Sequence, residues 1–419
     1  MNNRTRSSAV LLALVGFGVS AIAASSAITP TQDWPQWRGP SENGISLERL
    51  PDKPKFDNVV WKKSVGTGFS SVAVADGRIY TMGHRGPKEA GEETVWCFDA
   101  VTGREIWTQT YPAPLLDRFY EGGPGATPTV RQGKVYTYSK HGRVHCYRAD
   151  TGSPVWQRDM LAESGLEKPP EWGFAASPYF LNDQTLLIEA GNTYALDAAT
   201  GKVLWKSERF TPAYGTPKAF KAGDRNLVAV MKTEGLVILD ASNGKTVATA
   251  EWQTAFDTTA TTPIIEGNRI FISSGYDRGC ALFELMGDSL KKVYESKSMC
   301  NHMNNSVLLD GHLYGFDGTA HRGRPTQFVC IELATGKEKW RAPVAEALGC
   351  GAVMAAAGGM LLILSERGEL LSVPATPQGF KATARAQAQG GRCWTVPVLA
   401  HGRIYCRNSR GDLVCVRPE

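Results

Sequence analysis

The sequence predicts an all-β fold, an eight-bladed β-propeller of four-stranded antiparallel blades, and three observations predict it. A turn-and-strand unit recurs along the chain: DAVTGREIW ends at Trp107, RADTGSPVW at Trp156, DAATGKVLW at Trp205 and ELATGKEKW at Trp340, with weaker copies DASNGKTVA and FELMGDSLK between them. Its glycines, Gly103, Gly152, Gly201, Gly244, Gly287, Gly336 and Gly379, stand 49, 49, 43, 43, 49 and 43 residues apart, a period that marks a propeller or a solenoid. Gly (44) and Pro (23) together make about 16% of the 419 residues, which implies many turns in place of long helices.

In chain order, the first element is a leader. MNNRTRSSAVLLALVGFGVSAIAASSA joins a basic start at Arg4 and Arg6 to an apolar run over 9–24 with small residues at Ala21 and Ala23. It reads as a secretory signal peptide over residues 1–23, cleaved after Ala23, with Ala27 as a second choice. The run is short of the ~20 apolar residues that a membrane span needs, and no later segment does better. No Cys precedes Cys97, so a lipid anchor on an N-terminal Cys is not expected. The expectation is an exported protein, periplasmic or extracellular, with residues 24–57 as an N-terminal extension and 58–419 as the propeller.

Each repeat begins with a small residue and Pro, and three apolar runs divided by turns lead to the TG turn and the Trp strand. ATPTVRQGKVYTYSKHGRVHCYRADTGSPVWQRD shows the whole unit, and KVYTY and RVHCY alternate as half-buried strands do. Four short antiparallel strands in this length make a propeller blade. Asp99, Asp197 and Asp240 stand four residues before the turn glycine, where a carboxylate accepts from turn N–H groups while the Gly takes positive φ. The last repeat, TVPVLAHGRIYCRNSRGDLVCVRPE, has three strands and no Trp strand, and DNVVWKKSV near the N-terminus supplies the missing one with Trp61. Seven complete repeats and one split repeat give eight blades, and closure through the termini removes two sheet edges.

Hydrophobic residues at 42% suffice for a large core, which excludes a disordered chain. The formal charge is +5, and without Arg4 and Arg6 it is about +3, too little for a dedicated nucleic-acid binder. Nine cysteines leave at least one unpaired. Cys97, Cys146, Cys330 and Cys415 each sit in an apolar run and read as small packed hydrophobes. No C-x-x-C pair and no adjacent Cys pair occurs, so no metal site is predicted.

The [DE]-x-x-T-G-x-x-x-W unit resembles the repeat of the pyrroloquinoline-quinone-like (PQQ-like) β-propeller family, over residues 58–419. The opening DWPQWRGPSENG at 33–44 is similar to that of exported bacterial members. The resemblance implies that each repeat's Trp docks between neighbouring blades, which assigns Trp61, Trp107, Trp156, Trp205 and Trp340 to structure, each burying ~150 to 250 Å². The family includes quinoprotein alcohol dehydrogenases and a non-enzymatic outer-membrane-protein assembly lipoprotein, so the resemblance carries the fold and leaves function to the site.

Two connections between blades are long, 111–127 and 161–177, and loops of this length are more often functional than short ones. Equivalent positions at the channel mouth are Gly68, Pro124, Phe174, Tyr214, Thr258, His302, Cys350 and Cys393, with Asp257, Asn304, Asn305 and Trp394 beside them. The candidate ligand-binding residues are therefore Arg118, Tyr120, Trp172, Phe174, Tyr214, Asp257, His302, Asn304 and Trp394. The alternative use of these residues is to plug the channel and bond one another. No catalytic constellation is found. Quinoprotein dehydrogenases of the family use calcium, an Asp base and often a vicinal disulfide; here the disulfide is missing, and Asp257 as base with Asn304 or Asn305 as calcium ligands has only location behind it. The expected function is a monomeric, non-catalytic binding or scaffold protein for a protein, peptide or small molecule, with no cofactor, no nucleic acid and no membrane span. The alternative is a PQQ-dependent alcohol dehydrogenase-like oxidoreductase with PQQ and calcium.

Overall fold

Strands of three to eleven residues joined by turns and loops make up the computed structural model, which describes Met1 and residues 33–419. The leader expected over 1–23 lies outside the described residues. Eight sheets of four antiparallel strands form the ring. Blades 1 to 7 occupy 73–112, 129–159, 179–206, 218–251, 264–296, 307–341 and 352–387, each with its strands in sequence order from the channel outward. Blade 8 joins Val398–Ala400, Arg403–Arg407 and Asp412–Val416 to Val59–Ser64, which pairs with the third of them with Trp61 opposite Cys415. No described helix is long and apolar enough to cross a membrane.

The repeated unit works as two locks. Asp99 Oδ1 accepts from the Thr102 amide and hydroxyl, both at 2.8 Å, and Asp197 and Thr200 repeat the pattern at 2.8 and 2.6 Å. The backbone and side-chain bonds from Thr102 hold the Asp99 carboxyl below its ordinary pKa, as those from Thr200 do for Asp197. The glycine then lies under the previous blade's aromatic ring. A Cβ on Gly103, Gly152, Gly201 or Gly244 would come within 2.4 to 2.7 Å of Trp61, Trp107, Trp156 or Trp205 respectively. The indole N–H groups of Trp107 and Trp156 each donate to a carbonyl of the next blade at 3.0 Å. At Gly336 the ring is Tyr294, 2.5 Å from the corresponding Cβ position, a substitution that the Trp-based pattern did not reveal. Nothing approaches Gly287, because the preceding strand carries Ala248 where the others carry Trp.

All nine cysteines are free and buried. Burial pushes the Cys97 and Cys415 thiols up to about 12, consistent with packing as small hydrophobes. Buried charges tie neighbouring blades. Lys232 of blade 4 is 0% exposed and reaches Glu189 of blade 3 at 2.5 Å, with Gly191 O and Thr193 Oγ1 at 2.7 and 3.2 Å. Arg407 of blade 8 donates to Ser70 O, Thr81 Oγ1, Met82 O and Gly66 O, stitching the last blade to the first.

The N-terminal extension is part of the ring. Trp34 exchanges two 2.8 Å backbone bonds with Val74 of blade 1, and Pro35 O accepts from Val130 of blade 2. Glu42 bonds Tyr179 of blade 3 and Lys218 of blade 4. Trp37 Nε1 donates to Thr262 at blade 5 (3.1 Å) and Arg38 to Ser306 O at blade 6 (3.2 Å). Ser46 bonds Ala355 of blade 7 through its N–H and Leu399 of blade 8 through its hydroxyl. One segment thus touches the inner part of every blade and lies across the channel.

Candidate functional site

Where the chain enters the innermost strands, the ring opens into a cavity of about 640 Å³. Two sets of loops build its wall. The connections from each outer strand to the next inner strand bring Phe69, Tyr120, Trp172, Tyr214, Phe256 and Trp394, and the hairpins between second and third strands bring Lys140, Tyr276, His321 and Arg322. Trp37 of the N-terminal segment also lines the cavity, which is therefore a cup with that segment beneath it.

The aromatic rings order one another. Phe69 stacks on Trp394 at 5.5 Å between centroids and meets Tyr120 edge-on at 5.4 Å, while Trp172 meets Tyr214 edge-on at 5.7 Å. Tyr276 meets Phe256 and His302 edge-on at 5.1 and 5.0 Å. Such pairs add ~0.5 to 1.5 kcal/mol each beyond area burial and fix ring planes. Glu366, behind the wall, holds two lining residues, with Oε1 accepting from Trp394 Nε1 at 3.1 Å and lying 2.9 Å from His321 Nε2. Cations rest on the rings: Arg392 over Trp394 at 4.6 Å, Arg322 over Phe256 at 4.7 Å and Lys140 over Tyr120 at 4.8 Å.

Four bulky lining residues take left-handed backbone: Phe119 (φ 65°), Phe256 (64°), Tyr276 (54°) and His321 (55°). Each costs of order 1 to 3 kcal/mol and persists only where the surroundings impose it. Burial, helped by His321, pushes His302 down to about 4, and burial pushes Lys140 down to about 7 against the opposing pull of Glu93.

Of the residues proposed from sequence, Arg118, Tyr120, Trp172, Tyr214, His302, Asn304 and Trp394 line the cup. Phe174 does not: it is 1% exposed and packs on Tyr138 at 5.3 Å inside the core. Asp257 does not either, because the backbone reverses at Phe256 and Asp257 and leaves that carboxylate in an exposed turn outside the lining. Asn304 gives its amide to Gly351 O and Trp394 O, and Asn305 exchanges two bonds with Thr262, so both tie blades together. Cys350 and Cys393 are buried free thiols. Sequence reasoning missed Trp37, Phe69, Lys140, Phe256, Tyr276, His321 and Arg322. Phe69 and Phe256 adjoin the slots at Gly68 and Thr258, a signal that was present; the hairpin residues carry no motif.

The chain matches the family described as outer membrane protein assembly factor BamB over residues 53–124 and 91–342, more than half its length. The chain belongs to that family. It is 26% identical over 228 residues to the outer membrane protein assembly factor BamB of Moranella endobia, covering 53% of this chain and 54% of that protein. It is also 27% identical over 186 residues to the quinohemoprotein alcohol dehydrogenase ADH-IIG of Pseudomonas putida, covering 41% of this chain and 23% of that one. The chain thus spans about half the length of one curated relative and about a quarter of the other. Among solved structures, the quinohemoprotein alcohol dehydrogenase of Comamonas testosteroni is similar with a TM-score of 0.64 at 12% identity, covering 92% of this chain and 80% of that chain. At that identity the likeness is one of fold.

The dehydrogenase relatives raise the question of a quinone and calcium. The cup offers flat aromatic faces and cations. Its donor set does not suit calcium, which takes six to eight oxygens with several carboxylates. Glu171 is the one carboxylate side chain on the described lining, and Arg118 holds it at 2.9 Å.

Proposed function

We propose that this BamB-family propeller is an exported binding protein that holds a small aromatic ligand in the cup without turning it over. The observation that carries the reading is the aromatic-walled cavity of about 640 Å³ with Trp37 in its lining. That volume falls within the range of small-molecule pockets, and a few placed polar groups among apolar walls are what such pockets use for orientation. Four strained bulky residues concentrated in one lining support a binding role over mere channel filling. The expected leader supports export. The similarity to the assembly factor supports, in addition, a protein partner on the outside of the ring.

Trp37, Trp172 and Trp394 make the cup its own reporter. Titration of the purified protein with two-ring aromatic compounds should quench tryptophan emission with saturation, and Trp394→Ala should weaken that binding at least tenfold without loss of folded protein. Absence of saturable binding across a panel of neutral, anionic and cationic two-ring compounds would overturn the reading.

A further inference from the structure

We infer that Lys140, with Tyr120, forms an anion-recognition point in the wall of the cup, and that the ligand is a flat aromatic ring bearing a carboxylate. The inference rests on the proposed binding function and names the chemistry of its ligand.

Lys140 is 3% exposed, and its ammonium has three donors. Its Nζ bonds the Tyr120 hydroxyl at 2.7 Å, a neutral partner, and it forms no ion pair within the described residues. Other buried cations here are better compensated: Lys232 has a carboxylate, a carbonyl and a hydroxyl, and Arg407 has four oxygen acceptors. The acids that face Lys140 do not pair with its ammonium. Glu93 accepts the Tyr111 hydroxyl at 2.9 Å on one oxygen and the Lys140 backbone N–H at 3.3 Å on the other, and Asp117 holds Lys88 at 2.9 Å. The adjacent His141 turns its ring to Pro114 O at 2.8 Å. A buried cation short of acceptors is costly, and a ligand carboxylate relieves that cost.

The cup's charge balance points the same way. On its lining Arg118, Lys140 and Arg322 face Glu171, which Arg118 already holds, and Glu366 behind the wall is taken up by Trp394 and His321. The lining therefore carries an excess of positive charge beside stacking surfaces at Phe69 and Trp394. An aryl carboxylate meets both demands: its ring lies against the indole and phenyl faces while its oxygens complete the ammonium. Because burial holds the unliganded amine near 7, an arriving anion draws a proton onto it. Carboxylate affinity then falls as pH rises above 7, by up to about tenfold per unit.

The test uses the full chain and two isosteric probes, 2-naphthoate and 2-naphthamide, titrated calorimetrically at pH 6.5 and 8.5 in buffers of different ionisation heat. The expected result is a naphthoate preference of at least tenfold at pH 6.5 that shrinks at pH 8.5, with proton uptake approaching one at the higher pH. Lys140→Met should bring the two affinities to within about twofold and abolish the proton uptake. Tyr120→Phe removes the phenol acceptor and keeps the ring, and it should move the pH midpoint of naphthoate binding; this second variant decides the matter if Lys140→Met does not fold. Equal binding of the two probes by the parent, a preference that survives Lys140→Met in folded protein, or an unmoved midpoint in Tyr120→Phe overturns the inference and leaves the aromatic cup standing. Failure of both probes to bind overturns the inference, and the aromatic-ligand reading falls with it when the wider panel of two-ring compounds fails too.

Discussion

Trp107 and Trp205 occupy the same slot of the repeat and should not be worth the same. Trp107 is 7% exposed, donates to Ala149 O at 3.0 Å and packs beside Tyr80 and Tyr147, whereas Trp205 is half-buried. Trp107→Ala should cost ~3 to 5 kcal/mol as a large-to-small core change, and Trp205→Ala less. Urea denaturation of the two variants checks the order; equal losses would show that docking geometry, and not burial, sets the energy.

His145 carries a pH prediction. It is 6% exposed, lies 4.4 Å from the Tyr111 ring, and its Nδ1 has no hydrogen-bond partner. Burial, with Arg143 adding to it, pushes its pKa down from 6.5 to about 4. The unfolded chain therefore takes up a proton at this site before the native protein does, and stability falls as pH drops from 6.5 towards 4. The loss attributable to this one group is about 3 kcal/mol by linkage. His145→Phe should flatten that part of the profile, so the stability difference between pH 7 and pH 4.5 should be smaller in the variant than in the parent; an unchanged difference would mean that the native site admits the proton.

At the scale of elements, the N-terminal residues perform two separable tasks. Val59–Ser64 closes blade 8, and 33–57 runs across the inner part of all eight blades with Trp37 lining the cup. A chain starting at residue 66 loses the closing strand and the Trp61 dock, which exposes a sheet edge and should lower the melting temperature of the whole ring. One starting at residue 58 keeps closure and should fold, with a smaller drop in melting temperature and at least tenfold weaker binding of an aromatic probe. Scanning calorimetry and the fluorescence titration separate the two. Retained probe affinity in the shorter deletion would show that the segment braces the ring without forming the site.

At the scale of the whole molecule, the question is whether the cup oxidises alcohols, as its dehydrogenase relatives' names state for them. Such a reaction needs a base at the hydroxyl and a cation or equivalent polarising the quinone. The base suggested by location, Asp257, lies in an exposed turn outside the lining, and the amides suggested for calcium bond neighbouring blades. Purified protein with PQQ, calcium and a panel of primary and secondary alcohols should not reduce a dye acceptor above background. Reduction that depends on the quinone and disappears in Trp394→Ala would make the cup an active site and end the binding-protein reading.

The repeat spacing, the split last repeat and the Gly-to-Trp offset determine the number of blades, their strand order and the closing strand, because each follows from positions within a repeat whose period is visible along the chain. Seven of the nine residues expected at the mouth line the cup: Arg118, Tyr120 and Trp172 from the two long connections, Tyr214 and His302 from equivalent slots, and Asn304 and Trp394 from positions beside such slots. Asp257 is turned out by the backbone reversal at Phe256 and Asp257, and Phe174 is drawn into the core against Tyr138, neither of which counting along the repeat sees. Tertiary structure alone decides the rest. Lys140, Tyr276, His321 and Arg322 sit on hairpins without a motif and reach the cup because those hairpins rise at the same end of the ring as the inter-blade loops. Trp37 lines the cup because the extension finds hydrogen-bond partners on eight blades spread over hundreds of residues, a set that exists only once the ring has closed.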